Sequence, residues 1–237
     1  MVKQHLSRLA MPKTWPIKRK GIKFIIKPKS SRKMKYCIPL VIVIKDLLKY
    51  AKTRKEVKKI INEGNVLINK SKPRDIKTGL GLMDVLEFPK LKEQYRILLN
   101  KQGKFRVMKI SAKEAGVKPC KITGKRNLKG KKLQINLDDG SNLLDTKGNY
   151  KVGDSLLVDT EKRKAKEHIP LEKGAVVYLT GGNNVNAVGT VEGFKEFSGT
   201  RQANIILKVS GKTLETKKDY ALAIGKGKPA IAVEEKK

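Results

Sequence analysis

The stretch from residue 38 to residue 88 constrains the fold most strongly, because two helical periods follow each other within it. In the first, apolar residues recur at the i, i+3, i+4, i+7 spacing of one buried helical stripe. This stripe consists of Leu40, Val41, Ile44, Leu47, Leu48 and Ala51. The opposite side carries Lys45, Lys49 and Lys52. The sequence therefore predicts a first helix with one apolar face and one basic row.

A second helix is predicted to begin after Thr53, because Glu56 follows three residues later and completes a capping box. Gly64 is predicted to end the helix, since glycine enters the left-handed conformation at little cost. The buried side consists of Val57, Ile60 and Ile61, and the exposed side of Arg54, Lys55, Lys58 and Lys59. A strand at 66–68 and a turn at 72–75 follow.

This helix–helix–strand unit resembles the alpha-L RNA-binding motif, which docks its two helices against folded RNA. The resemblance implies a docking face made of Lys45, Lys49, Arg54, Lys55 and Lys58. The alternative is an ordinary amphipathic hairpin whose lysines are simply solvated.

The charge of the chain favours a polyanionic partner. The sequence has 55 basic and 22 acidic residues, a formal net charge of +33, and self-repulsion at that charge opposes a compact state. Lysine outnumbers arginine, which favours phosphate contacts and shape recognition over base reading. A membrane partner fits less well, because the sequence has no apolar run of about 18 residues and no signal peptide.

No catalytic or metal site is predicted. Cys37 and Cys120 are far apart and have no metal-ligand spacing, which favours a reducing, cytoplasmic compartment. His5 and His168 are also distant in sequence, and no serine or cysteine has a nucleophile context. We therefore expect no enzyme activity, no cofactor, no metal and no small-molecule substrate.

Residues 1–37 are predicted to form a basic arm, since no acidic residue precedes Asp46. Such an arm is expected not to fold alone but to thread into grooves of an RNA. The alternative is a disordered solubilising tail. Trp15, the only tryptophan, is a candidate for packing or for stacking on bases. The other candidate RNA-binding residues of the arm are Lys3, His5, Arg8, Lys13, Lys18, Arg19 and Lys20.

Residues 89–170 are predicted to be a central, mostly β domain. One hairpin joins 95–99 to 105–110, and a single helical turn is predicted at 111–115. A second hairpin joins 133–137 to 142–144, because Asp139-Gly140 supplies the positive backbone angles of a tight turn. We interpret Asp138 and Asp139 as turn residues rather than paired acids. A further turn and strand are predicted at 150–158.

Residues 171–237 carry the pattern of a KOW motif, with strands predicted at 171–179, 188–191, 203–209 and 220–224. Glycines in the first loop bring backbone N–H groups close to phosphates. The candidate RNA-binding residues of this loop are Gly181, Gly182, Asn183 and Asn184. The pattern predicts a small five-stranded Src-homology-like β-barrel, with a plain hairpin as the alternative.

Four strings resemble the archaeal and eukaryotic small-subunit ribosomal protein family of the four-e type. They are HLSRLAMPKTW at 5–15, CIPLVIVIKDLLKYAKTRKEV at 37–57, TGGNNVNAVGTV at 180–191 and IGKGKPAIAV at 224–233. One departure is Asn186-Ala187, where the family usually has a glycine and often a basic residue. The implied fold class is α+β and multidomain: the arm (1–37), an αα-β alpha-L domain (38–88), the central β domain (89–170) and the barrel with a C-terminal tail (171–237).

The resemblance implies a structural constituent of the small ribosomal subunit in the cytoplasm. Its implied partners are small-subunit rRNA and neighbouring small-subunit ribosomal proteins, with no membrane. The alternatives are an accessory subunit of an RNA-modifying enzyme and a KOW-containing transcription elongation factor.

Overall fold

A computed structural model describes residues 5–130, 132–145, 149–197, 203–209 and 211–233. The structure is mostly β, with few helices. The chain divides into two compact units. The first covers residues up to 100 together with 104–116, and the second covers 101–103 and the residues from 117 onward.

The described part of the basic arm is folded within the first unit. Strand β1 (Leu6–Ser7) pairs with β2 (Phe24–Ile25) in an antiparallel hairpin. Between them, Met11 and Trp15 are buried, and the indole Nε1 of Trp15 donates to the Cys37 carbonyl at 2.8 Å. The described part of the arm therefore has enough apolar surface to join the core of the first unit, and its threading into RNA stays a prediction.

The first predicted helix is shorter than its apolar stripe. Strand β3 (Cys37–Pro39) leads into α1 (Leu40–Ile42), which continues as a π-helical turn over Val43–Leu47. All five residues from 40 to 44 are buried, and the polar residues of this segment are confined to its end, at Lys45 and Asp46. Lys49 follows the helix end with a φ of +59°. The predicted single row of lysines is therefore wrong, since Lys49 and Lys52 lie outside the helix.

The second predicted helix is confirmed as α2 (Arg54–Asn62). The Glu56 backbone N–H donates to Thr53 Oγ1 at 3.3 Å, and the Thr53 backbone N–H donates to the Glu56 carboxylate at 3.4 Å. Val57 and Ile61 are buried. Gly64 has a φ of +71° just beyond the helix, as the sequence predicts.

The rest of the first unit is a sheet and a short helix. Strands β4 (Leu67–Ile68), β5 (Gly79–Gly81), β6 (Val85–Phe88), β7 (Glu93–Leu99) and β8 (Phe105–Ile110) precede α3 (Ala112–Ala115). Strand β5 pairs with β3, and the larger sheet has the order β4-β6-β7-β8. The first hairpin and the helical turn of the predicted middle segment are thus present, and they belong to the first unit. The division into four domains stays a prediction.

The second unit begins with a five-stranded sheet. Its strands are β9 (Val117–Leu128), β10 (Lys132–Leu137), β11 (Asn142–Asp145), β12 (Ser155–Asp159) and β13 (Ala165–Ile169), in the order β11-β10-β9-β12-β13. The β10–β11 pairing confirms the predicted hairpin, although Gly140 has a positive φ (+81°) and Asp139 does not. The hydrophobic core against this five-stranded sheet contains Cys120, Ile122, Ile135, Leu137 and Leu156.

A second five-stranded antiparallel sheet completes this unit. It contains β14 (Ala175–Leu179), β15 (Val188–Lys195), β16 (Asn204–Val209), β17 (Lys212–Lys217) and β18 (Ala221–Lys226), in the order β17-β16-β15-β14-β18. Four of these strands lie where the sequence predicts them, and β17 was not predicted. The registers place β17 and β18 at opposite edges of the sheet. Closure into a barrel therefore stays a prediction.

Candidate nucleic-acid interface

Helix α2 presents a basic face to solvent. Arg54, Lys55, Lys58 and Lys59 are all exposed, on the side opposite the buried Val57. The spacings 54–58 and 55–59 place these cations side by side on one helix face. Lys59 Nζ lies 4.0 Å from a carboxylate oxygen of Glu63, so part of this charge is already paired at the C-terminal end. Such a face can contact the phosphates of a folded RNA.

A groove beside this helix brings together four of the predicted RNA-binding residues. Its volume is about 510 Å³, and His5, Arg8, Lys45 and Arg54 all line it. The arm strand β2 forms one wall, and the α1 segment contributes Val41 and Ile42. The fold thus joins the arm and the helical segment into one surface, although the two are distant in sequence.

Two arginines of the arm are engaged with the arm's own backbone. Arg8 Nε donates to the Lys18 carbonyl at 2.6 Å. Arg19 donates to the carbonyls of Leu9 and Met11, both at 3.0 Å. These bonds cross-link the loop between β1 and β2, a role that sequence reasoning missed because it depends on where the chain turns.

The other candidates in the arm differ in exposure. Lys13, Lys18 and Lys20 are exposed and available to phosphates. Lys3 lies outside the described residues. Trp15 is only 2% exposed, so its role in this fold is packing.

The candidate loop in the second unit joins β14 to β15. Gly182, Asn183 and Asn184 are exposed. Gly181 lies so close to the Tyr220 ring that an added Cβ would come within 2.7 Å of it, so a side chain would displace the loop. Asn186 adopts a φ of +70°, and its Oδ1 accepts a hydrogen bond from the Tyr178 hydroxyl at 3.3 Å. Asparagine tolerates this left-handed conformation, and the departure from the family pattern lies at Ala187, which follows it.

A polar and aromatic cluster was not predicted. Glu93 accepts hydrogen bonds from Lys109 Nζ at 2.6 Å, from the Tyr50 hydroxyl and from the Tyr95 hydroxyl at 2.9 Å. These donors, Lys109 above all, lower the pKa of Glu93 to about 2. The rings of Tyr50 and Phe88 meet edge to face, with centroids 5.0 Å apart. This cluster ties the segment after α1 to β7, and we interpret it as structural.

The described residues contain no group of three or more histidine, cysteine, aspartate or glutamate side chains that could hold a metal ion. Likewise, within the described ranges no helix combines the length and the apolar character needed to cross a membrane.

Comparison with known proteins places the two helices and the arm in recognised families. Residues 38–86 match the S4 domain, residues 2–30 match the RS4NT (NUC023) domain, and residues 91–165 match ribosomal family S4e. The matches thus include the arm, the helical segment and most of the predicted central domain.

Full-length relatives are found among the archaea. The chain is 33% identical to the small ribosomal subunit protein eS4 of Methanocella arvoryzae, with 98% of both chains covered. It is 36% identical to the protein of the same name from Methanopyrus kandleri, covering 98% of this chain and 95% of that one. Among solved structures, the 30S ribosomal protein S4e from Thermoplasma acidophilum is similar, with a TM-score of 0.69 and 29% identity over 80% of this chain and 95% of that one. On this evidence, the chain belongs to the ribosomal S4e family.

Proposed function

We propose that this chain is a structural constituent of the small ribosomal subunit that binds small-subunit rRNA by charge neutralisation and shape recognition. The observation that carries the proposal is the basic face of α2 within an S4 domain, beside a folded basic arm. Two relatives named as small-subunit proteins support it along nearly their whole length. Membership in this structural family also confirms the prediction that the chain is not an enzyme.

Binding would draw most of its affinity from counterion release. Each phosphate neutralised by a lysine or arginine releases condensed cations from the RNA, and this makes the affinity depend on salt. The candidate contacts fall into three sets: the exposed lysines of the arm, the α2 face, and the loop from Gly181 to Asn184. The site of action would be the cytoplasmic small subunit, with neighbouring ribosomal proteins as further partners.

The proposal also includes the fold of the second sheet in the second unit. We expect the second sheet of the second unit to close into a five-stranded Src-homology-like barrel, since its loop carries the KOW pattern. The two alternative functions, an RNA-modifying enzyme subunit and an elongation factor, receive no support from the relatives.

The α2 face can be tested by charge reversal at Lys55 and Lys58. Both are exposed helix positions, so the Lys55→Glu/Lys58→Glu variant should fold normally while its incorporation into small subunits falls about tenfold in competition with the wild type. Incorporation is measured by quantitative mass spectrometry of purified subunits, and folding by the fluorescence of Trp15.

The matched control is Lys55→Arg/Lys58→Arg, which keeps both charges and should assemble like the wild type. Equal incorporation of the charge-reversed variant and this control would show that α2 does not dock on RNA.

A further inference from the structure

The groove between the arm and the α1 segment carries more than positive charge. Its described lining contains both buried and exposed apolar side chains, next to several cations. We infer that this groove takes an unstacked nucleobase of the rRNA, with the flanking phosphates held by the cations at its rim. The inference rests on the proposed function and adds to it the kind of RNA feature recognised.

Half of the residues that line the groove are apolar. Among them, Val41 and Ile42 are 2% and 4% exposed, whereas Phe24 and Ile22 are 52% and 66% exposed. The Phe24 ring is already contacted by the His5 ring, with centroids 5.6 Å apart and planes inclined by 45°. An exposed phenylalanine in such a setting leaves ring surface available for stacking, the interaction by which proteins hold splayed-out RNA bases.

The charges around the groove fit a polyanion. Among the described residues that line it, five are lysines or arginines and one is an aspartate. The cations are Arg8, Lys27, Lys45, Arg54 and Lys77. The carboxylate is Asp46, and its oxygen lies 3.8 Å from Lys45 Nζ. This excess of positive charge favours phosphate over a neutral or apolar partner.

The size of the groove favours a single nucleobase over an RNA double helix as its ligand. A volume of about 510 Å³ falls within the roughly 300–1,000 Å³ of pockets that enclose small organic molecules. A single nucleotide fits such a space, whereas an RNA duplex meets proteins mainly through its phosphates and 2′-hydroxyls along a broad, shallow groove. Mixed apolar and basic lining in a concave site therefore indicates an extruded base.

The test compares Phe24→Leu with the wild type by chemical footprinting of small-subunit rRNA. Subunits are reconstituted with each full-length protein. Dimethyl sulfate reads the adenines and cytosines, kethoxal the guanines and a carbodiimide the uridines, while hydroxyl radicals read the RNA backbone. Phe24→Leu keeps an apolar side chain but removes the ring. We expect one or two bases that the wild type protects to become reactive, about tenfold or more, while the backbone footprint of the protein stays unchanged.

Tyr36→Leu is the matched control. Tyr36 is 51% exposed and has Lys35 Nζ 5.5 Å from its ring centroid, much as Lys23 lies 5.5 Å from that of Phe24. Tyr36 does not line the groove, so its variant should leave base protection intact. Thermal unfolding of each free variant checks that the fold is retained.

Several results would overturn the inference. One is a footprint identical for Phe24→Leu and the wild type, and another is the same loss of protection with Tyr36→Leu. If Phe24→Leu instead releases a neighbouring ribosomal protein while all bases stay protected, the groove holds an acidic peptide. If the wild-type protein gives no footprint at all, the proposed function fails, and this inference fails with it.

Discussion

At the scale of single residues, the most consequential pair is Lys118 with Asp139 in the second unit. Lys118 is 4% exposed, and its Nζ lies 2.8 Å from a carboxylate oxygen of Asp139. Burial alone would raise the pKa of Asp139, but the charge of Lys118 and hydrogen bonds from Lys118 and Ser141 outweigh it and lower the pKa to about 2. Because the folded pKa lies below the unfolded value of 3.8, the pair stabilises the fold above about pH 4, and this contribution is lost as the pH falls toward 2.

Replacing Asp139 by asparagine should destabilise the second unit by about 3 kcal/mol, because it removes the carboxylate facing a buried ammonium group. The measurement is hydrogen exchange of the β9 and β10 amides, which should become roughly 100-fold faster.

Asp138→Asn is the control in the same turn. Asp138 is exposed and accepts a hydrogen bond from the Lys121 backbone N–H at 3.0 Å, which an amide oxygen can still accept. We expect a change within about 0.5 kcal/mol for this variant. Equal effects of the two substitutions would mean that the turn, and not the ion pair, supplies the stability.

At the scale of elements, the sequence predicts those structures that neighbouring residues determine, and it misses those that depend on tertiary contacts. The capping box of α2, its end at Gly64 and the Asp-Gly hairpin all follow from residues within a few positions of each other. The π-helical turn after Ile42 does not, because tertiary packing of its buried residues Val43 and Ile44 overrides the local helical period. Strand β17 was missed since its residues are mainly polar, and only pairing with β16 makes it a strand.

The capping box makes a prediction about the start of α2. Thr53→Ala should lower the free energy of unfolding of the first unit by about 1 kcal/mol, because the backbone N–H of Glu56 loses its acceptor. Urea unfolding followed by Trp15 fluorescence measures this, since Trp15 is buried in that unit.

Thr53→Ser is the control, because it retains the accepting hydroxyl group and should change the free energy by only a few tenths of a kcal/mol. A loss as large as that of the alanine variant would indicate that the methyl group, rather than the cap, matters.

The same limit applies to the candidate site. Composition predicts the lysines of the arm as RNA-binding residues, the alpha-L resemblance adds those of α2, and both sets stay predictions. Composition and resemblance could not show that Arg8 and Arg19 bond to backbone carbonyls or that Trp15 is in the core, because both depend on how the arm folds back. They also missed Phe24, whose importance comes from the cations that distant segments bring to the same groove.

At the scale of the whole molecule, the formal charge of +33 and the S4e family membership lead to the same account. The chain has enough apolar residues to build folded units, yet a positive charge this large favours a polyanionic partner. Assembly on rRNA satisfies this requirement, and a protein that is part of the particle should stay with it when weaker electrostatic contacts are removed.

The measurement that tests this claim most directly is sedimentation of the tagged chain from a cell lysate through a sucrose gradient. The subunits are separated at low magnesium and washed in high salt before the protein is quantified. The account predicts one copy per small subunit after the wash. Release of the chain into the light fractions at moderate salt would contradict it, because the chain would then be a transient electrostatic binder rather than a structural constituent.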